Sequence, residues 1–181
     1  MVSSGLAHEI RNPMGSIIAG IKLLGRDDKS EDEKKVVYDI LKKETERINR
    51  SLTEFLTYAR PNKFITDNVN INNILEDIIK LATENPDLSS DHNIVSKLDP
   101  AIIDIPADID RIKQVFWNIL SNGFKAMNKP GTIKIKTFMN TRYLSVEISD
   151  TGSGISAENI EKIFTPFFTM SQGGTGLGLA I

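Results

Sequence analysis

Apolar residues fall at helical spacing over roughly the first sixty positions, then mix helical with alternating spacing. Ile10, Met14, Ile17, Ile21 and Leu24 alternate steps of four and three, lining one helix face able to pack on other helices. Val37, Leu41, Ile48, Leu52, Phe55 and Ala59 repeat the pattern, and the polar stretch 25–29 between the stripes opens on a glycine stop. Ser30 followed by Glu33 predicts a capping box at the start of the second helix. Two antiparallel helices of this size share too little surface to be stable alone. The seams therefore predict a helical hairpin over 1–61 that dimerises into a four-helix bundle. The alternative is a hairpin packed on the rest of its own chain.

Pro61 disfavours helix in the residue before it, so 62–66 reads as a linker and 67–181 as a second domain. A helix is predicted over 73–84, opened by Asn73 and Glu76, with short strands over 92–98 and 101–105. Asp108 caps a helix reaching Met127, with Ile109, Ile112, Val115, Phe116, Ile119 and Leu120 on its buried side. Residues 132–139 and 143–150 alternate with period two and form a hairpin turned at Asn140-Thr141, with Lys134 and Lys136 on the wet face. Ser156 caps a short helix through Ile163. The order of elements predicts an α+β two-layer sandwich, helices on one face of a mixed sheet.

Composition narrows the chemistry. Of 181 residues none is Cys, which removes disulfides, thiolate metal sites and a cysteine nucleophile, and fits a reducing, cytoplasmic setting. With 22 Lys+Arg against 24 Asp+Glu the formal charge is −2, against any general electrostatic grip on nucleic acid. No apolar run approaches the roughly 20 residues of a membrane-spanning helix, and the start lacks the features of a signal peptide. The chain reads as soluble, with no membrane segment.

His8 lies roughly 160° around the first helix from Ile10 and is expected to be exposed, with Glu9 beside it and Asn12 one turn on. An imidazole with a neighbouring carboxylate can act as a nucleophile near neutral pH, and Pro13 frees a carbonyl and should bend the helix there. Asp150 closes a strand and is followed by Gly152 and Gly154, where the backbone can turn sharply against a ligand. Gly173-Gly174-Thr175-Gly176-Leu177-Gly178 leads into an apolar, helix-like start, and such a loop presents amides to phosphate. Asn118 and Asn122 align on one face of an otherwise apolar helix. An Asn122 oxygen suits magnesium, and Lys125 can reach a phosphate. His92 reads as structural, and Trp117 and Phe124 as core.

Taken in order, these segments resemble the boxes of a two-component sensor histidine kinase. They are an H box around His8, an N box over 118–126, a glycine box over 150–154, a phenylalanine box over 164–168 and a second glycine box over 174–178. The segment His-Glu-Ile-Arg-Asn-Pro is most similar to the nitrogen-regulation branch. The resemblance implies a dimerisation and phosphotransfer domain followed by a GHKL-type ATP-binding domain of the Bergerat fold. It implies ATP and Mg2+ as cofactors, Asp150 on the adenine amino group, and Asn122 on magnesium. Asn118 and Lys125 would support the nucleotide, and Gly174, Gly176 and Gly178, with Thr175 and Leu177 between them, would form the phosphate loop. His8 would take the γ-phosphoryl group with Glu9 as base, and pass it to an aspartate of a response-regulator receiver domain. Asn12 would orient water for the reverse dephosphorylation. Relatives usually continue past a position equivalent to Ile181 through a helix and two strands, so the ATP domain is expected to be incomplete. The stretch 169–173 is a short lid without a basic residue. Two other classes compete: a non-catalytic dimerisation module, and a GHKL ATPase without phosphohistidine.

Overall fold

The computed structural model describes residues 2–26, 29–59, 65–85, 88, 91–128, 130–170 and 174–181. It leaves aside the side chains of 2–6, 8, 9 and 57–59. The chain divides into two compact units, one formed by Met1–Pro61 with Glu161–Ile181 and the other by Asn62–Ile160.

In the first unit, helix α1 (Val2–Leu24) and helix α2 (Glu31–Ala59) form the expected hairpin. The capping box is present in both directions. The Ser30 amide donates to Glu33 Oε2 at 2.9 Å and the Glu33 amide to Ser30 Oγ at 3.2 Å. A hydrogen bond from the Lys29 ammonium, then the Ser30 amide, holds the Glu33 carboxyl below its ordinary value. Helix α1 is continuous through Pro13, which is buried. The apolar stripe expected on α1 splits in two. Ile10, Ile17 and Leu24 are half-buried with Pro13 and Gly20 between them, whereas Met14 and Ile21 are 48% and 59% exposed. The cause is Gly20, where an added Cβ would stand 2.9 Å from Leu41 Cδ2 and 3.3 Å from Val37 Cγ1. Leu41 and Val37 occupy the space a side chain would need, so α2 lies over the Pro13/Gly20 side. Met14, Ile18 and Ile21 are left as a second, uncovered apolar face. Leu52, expected in the α2 seam, is exposed too.

In the second unit, strands β2 (His92–Lys97), β4 (Gly131–Met139) and β5 (Leu144–Ser149) form a sheet in the order β2-β4-β5. The β2/β4 pair is parallel and the β4/β5 pair antiparallel, so the sheet is mixed as expected. Strands β1 (Asp67–Val69) and β3 (Ile105–Ala107) pair separately and antiparallel. The strand predicted over 101–105 lies instead at β3, because Ala101 and Ile102 close a turn in which the Ala101 and Ile102 amides donate to Asp99. Helix α3 (Ile71–Glu84) starts earlier than the Asn73/Glu76 pair predicts. Its cap is Asn70, whose side-chain oxygen accepts the Asn72 amide at 3.1 Å, and buried Ile71 and Ile74 draw the first turn into the core.

Helix α4 (Ile109–Ala126) begins at Asp108 and ends at Met127 as predicted. Phe116, Leu120 and Phe124 are buried on its core side, but Ile109 and Val115 are exposed, the apolar stripe being narrower than the run of apolar residues. Ile133, Ile135 and Thr137 of β4 alternate into the core with Leu75 and Ile78 of α3, while Lys134 and Lys136 face water. Burial of each large aliphatic side chain contributes about 1.5–3 kcal/mol, which fixes the register of β4 under the helices. Helix α5 (Ala157–Ile160) is a single turn rather than reaching Ile163. Among the described residues no helix is long and apolar enough to cross a membrane.

Candidate functional site

The carboxylate at the end of β5 is held by its own turn. The Gly152 amide donates to Asp150 Oδ1 at 2.8 Å, and Asp150 remains exposed. The loop is then stapled to the last turn of α4. The Ser153 amide donates to the Ala126 carbonyl at 3.1 Å, satisfying an acceptor that a helix end would otherwise leave open. The Thr132 amide donates to Thr151 Oγ1 at 3.0 Å, tying the loop to the start of β4. Glycine is required at 152, where a Cβ would meet Asp150 Oδ1 at 2.7 Å and the Ala126 carbonyl oxygen at 2.8 Å. Gly154 adopts φ +69° with open space around it, so its demand is conformational.

Sequence reading passed over Gly123, yet it is the point where α4 meets this loop. A Cβ there would lie 3.5 Å from Asp150 Cβ and 3.3 Å from Ile133 Cδ1. A glycine inside an otherwise strong helical pattern was the available signal. Along the same helix Asn122 and Lys125 are exposed and Asn118 is half-buried, on the side away from buried Phe116, Leu120 and Phe124. Trp117, expected in the core, is 37% exposed instead, since Phe116 already occupies the inward position of that turn. Phe124 is buried as expected, and the His92 ring lies 5.8 Å from it, centroid to centroid.

By compactness the second glycine box groups with the hairpin helices in the first unit. The Thr175 hydroxyl donates to a Glu54 carboxylate oxygen on α2, an attachment that nothing in the local sequence announces. Thr175 Oγ1 in turn accepts the Leu177 amide at 3.4 Å. Leu177 is fully buried, and its carbonyl receives the amides of Ala180 and Ile181 at 2.9 and 3.0 Å, one turn of the helix-like start. Gly176 adopts φ +63°, and a Cβ on it would stand 2.5 Å from the Phe167 carbonyl carbon. The Phe167 amide donates to the Gly176 carbonyl at 2.9 Å, with Phe167 itself at φ +66°. The phenylalanine and glycine boxes are thus zipped together, and an aromatic residue at positive φ could not be foreseen from residue type. Gly174 and Gly178 are half-buried at the loop's ends.

His8 and Glu9 sit in α1, and the expectations for their side chains lie outside the described residues. Asn12, a turn further on, is exposed as expected. Among the described residues no three His, Cys, Asp or Glu side chains converge to hold a metal.

Comparison with known proteins gives these features a family. Residues 2–63 match the His Kinase A (phospho-acceptor) domain, and residues 107–181 match the histidine kinase-, DNA gyrase B- and HSP90-like ATPase. The sensor histidine kinase ZraS of Escherichia coli K12 is 30% identical over 180 residues, covering 99% of this chain and 38% of the relative. The chain thus spans well under half the length of that relative. The crystal structure of histidine kinase ThkA in complex with the response regulator protein TrrA superposes with a TM-score of 0.80 at 30% identity, over 92% of this chain and 50% of that one. The catalytic domain of ThkA matches at 32% identity and a TM-score of 0.56, over 65% of this chain and 76% of that one. The chain belongs to the histidine kinase family. Family membership carries the ATPase match through to residue 181, while compactness groups 161–181 with the hairpin.

Proposed function

We propose that the chain is the catalytic part of a two-component sensor kinase, a homodimeric autokinase that phosphorylates His8 from ATP and passes the phosphoryl group to an aspartate of a response-regulator receiver domain. The observation that carries this reading is the presence, in one chain and in this order, of a phospho-acceptor match and an ATPase match.

The donor set fits a purine nucleotide. Asp150 has one oxygen committed to Gly152, and a carboxylate held in this way is oriented to accept the adenine amino group with the other. Gly152 lets the loop lie directly against Asp150 and the end of α4, where any Cβ would collide, and Gly154 lets the chain turn away from the ligand. Magnesium keeps several waters and takes few protein ligands, so an Asn122 oxygen with phosphate oxygens is a sufficient set. Asn118 and Lys125 would support the nucleotide, and the amides of 174–178 would receive the phosphates.

In the transfer itself, a neutral imidazole nitrogen of His8 forms a bond to the γ-phosphorus as the bond to the ADP oxygen breaks, and ADP leaves with that electron pair. Glu9 takes the ring proton. The rest is positioning and charge neutralisation, as phosphoryl transfer requires. Asn12 would orient water in the reverse, dephosphorylating reaction. A second copy would cover the exposed Met14, Ile18 and Ile21, the first two of which border a groove of about 420 Å³ along α1. A cytoplasmic setting supplies both ATP and the receiver. Incubation with γ-labelled ATP and magnesium separates the competing classes: the kinase acquires acid-labile, base-stable label. A GHKL ATPase releases only free phosphate, and a binding module does neither.

A further inference from the structure

The geometry points to Glu54 of α2 as a built-in competitor of the nucleotide's phosphates for Thr175, so that the hairpin holds the second glycine box in a state that refuses ATP. This rests on the reading of 174–178 as the phosphate loop. The Thr175 hydroxyl has one proton, and that proton goes to the Glu54 carboxylate. A phosphate oxygen, like a carboxylate oxygen, can only accept. Thr175 therefore cannot donate to both, and its lone pairs are engaged in part by the Leu177 amide. Charge acts in the same direction. A carboxylate within hydrogen-bond reach of the loop repels a polyphosphate approaching it, and both groups are partly buried, where such repulsion is poorly screened.

The attachment is also placed to hold the whole segment. Thr175 lies next to Gly176, whose carbonyl takes the Phe167 amide, so a tether at Thr175 restrains the phenylalanine box as well. The two residues lie 121 positions apart in the chain, on a helix of the phospho-acceptor domain and on the glycine loop. A shift of α2 that withdraws Glu54 would release the loop for nucleotide, and by linkage bound nucleotide would disfavour the tethered position of α2.

Glu54→Ala and Glu54→Gln test this. Alanine is a good helix former, and glutamine keeps an acceptor while losing the charge. A non-hydrolysable ATP analogue should bind Glu54→Ala about fivefold or more tightly than the parent chain, with Glu54→Gln between them. Adenosine, lacking phosphates, should bind all three alike. Without nucleotide, the amides of 174–178 should exchange hydrogen faster in Glu54→Ala. Equal analogue affinity in parent and Glu54→Ala overturns the competition, and so does an equal gain for adenosine, which would mark a general loosening. Unchanged exchange of the loop amides removes the tether. Failure of every form to bind any nucleotide contradicts the ATP reading itself, and the competition falls with it.

Discussion

Asp150 shows how a single residue is prepared for one task. Its Oδ1 is committed to the Gly152 amide at 2.8 Å, and glycine at 152 in its own turn and at 123 on α4 allows the close packing around it. Asp150→Asn tests the role without breaking the turn. Asparagine can still accept from Gly152, but it then presents an amide N–H, not an oxygen, to the adenine amino group. ATP affinity should fall about tenfold or more while the melting temperature stays within a degree or two, since a mispaired polar group costs about 1–3 kcal/mol. Calorimetric titration checks it, and unchanged affinity would remove Asp150 from the adenine site. At this scale the sequence was most legible where residue type narrows the options, as with the carboxylate before two glycines. It was least legible where tertiary contact decides. Nothing local marks Glu54 as the partner of Thr175, and although spacing put Phe116 on the buried side, residue type wrongly drew neighbouring Trp117 into the core as well.

Caps were the most readable features among the elements, because they are short-range exchanges between a side chain and nearby amides. Ser30/Glu33 and Asp108 were found where spacing put them. Asn73 misled because Asn70, three residues earlier, could cap as well and its choice brings Ile71 into the core. Asp108 also yields a pH prediction. Hydrogen bonds from the Arg111 amide, then the Ile65 amide and the Asp110 amide, hold its carboxyl below the ordinary value. A group whose folded pKa is lowered stabilises the fold above its unfolded pKa, and that contribution disappears as pH falls through the folded value. Asp108→Ala should therefore lower the melting temperature at pH 7. The gap to the parent chain should close as pH drops from about 5 towards 3. A gap independent of pH would mean that the charge on Asp108 has no part in capping. Seams were half legible: spacing identified apolar positions on α1, but only the glycine at 20 decided which of them α2 covers.

For the whole molecule, two domains and their classes followed from the switch in periodicity, whereas the grouping of 161–181 with the hairpin depends on contacts that are distant in sequence. The uncovered Met14, Ile18 and Ile21 are 48%, 51% and 59% exposed on one side of α1. An isolated hairpin leaves that face in water, and a second copy removes it. Ile18→Glu, placed in the middle of the face, should convert the dimer to a monomer by light scattering at micromolar concentration with far-ultraviolet helicity largely retained in the sheet unit. A parent chain that is already monomeric would contradict the bundle. The central claim, transfer of phosphorus to His8, is tested most directly by locating the label. After incubation with γ-labelled ATP and magnesium, the phosphoryl group should reside on His8 in the peptide spanning 1–11, and His8→Gln should abolish it while still binding nucleotide. Label that persists in His8→Gln, or that maps to another residue, contradicts the account.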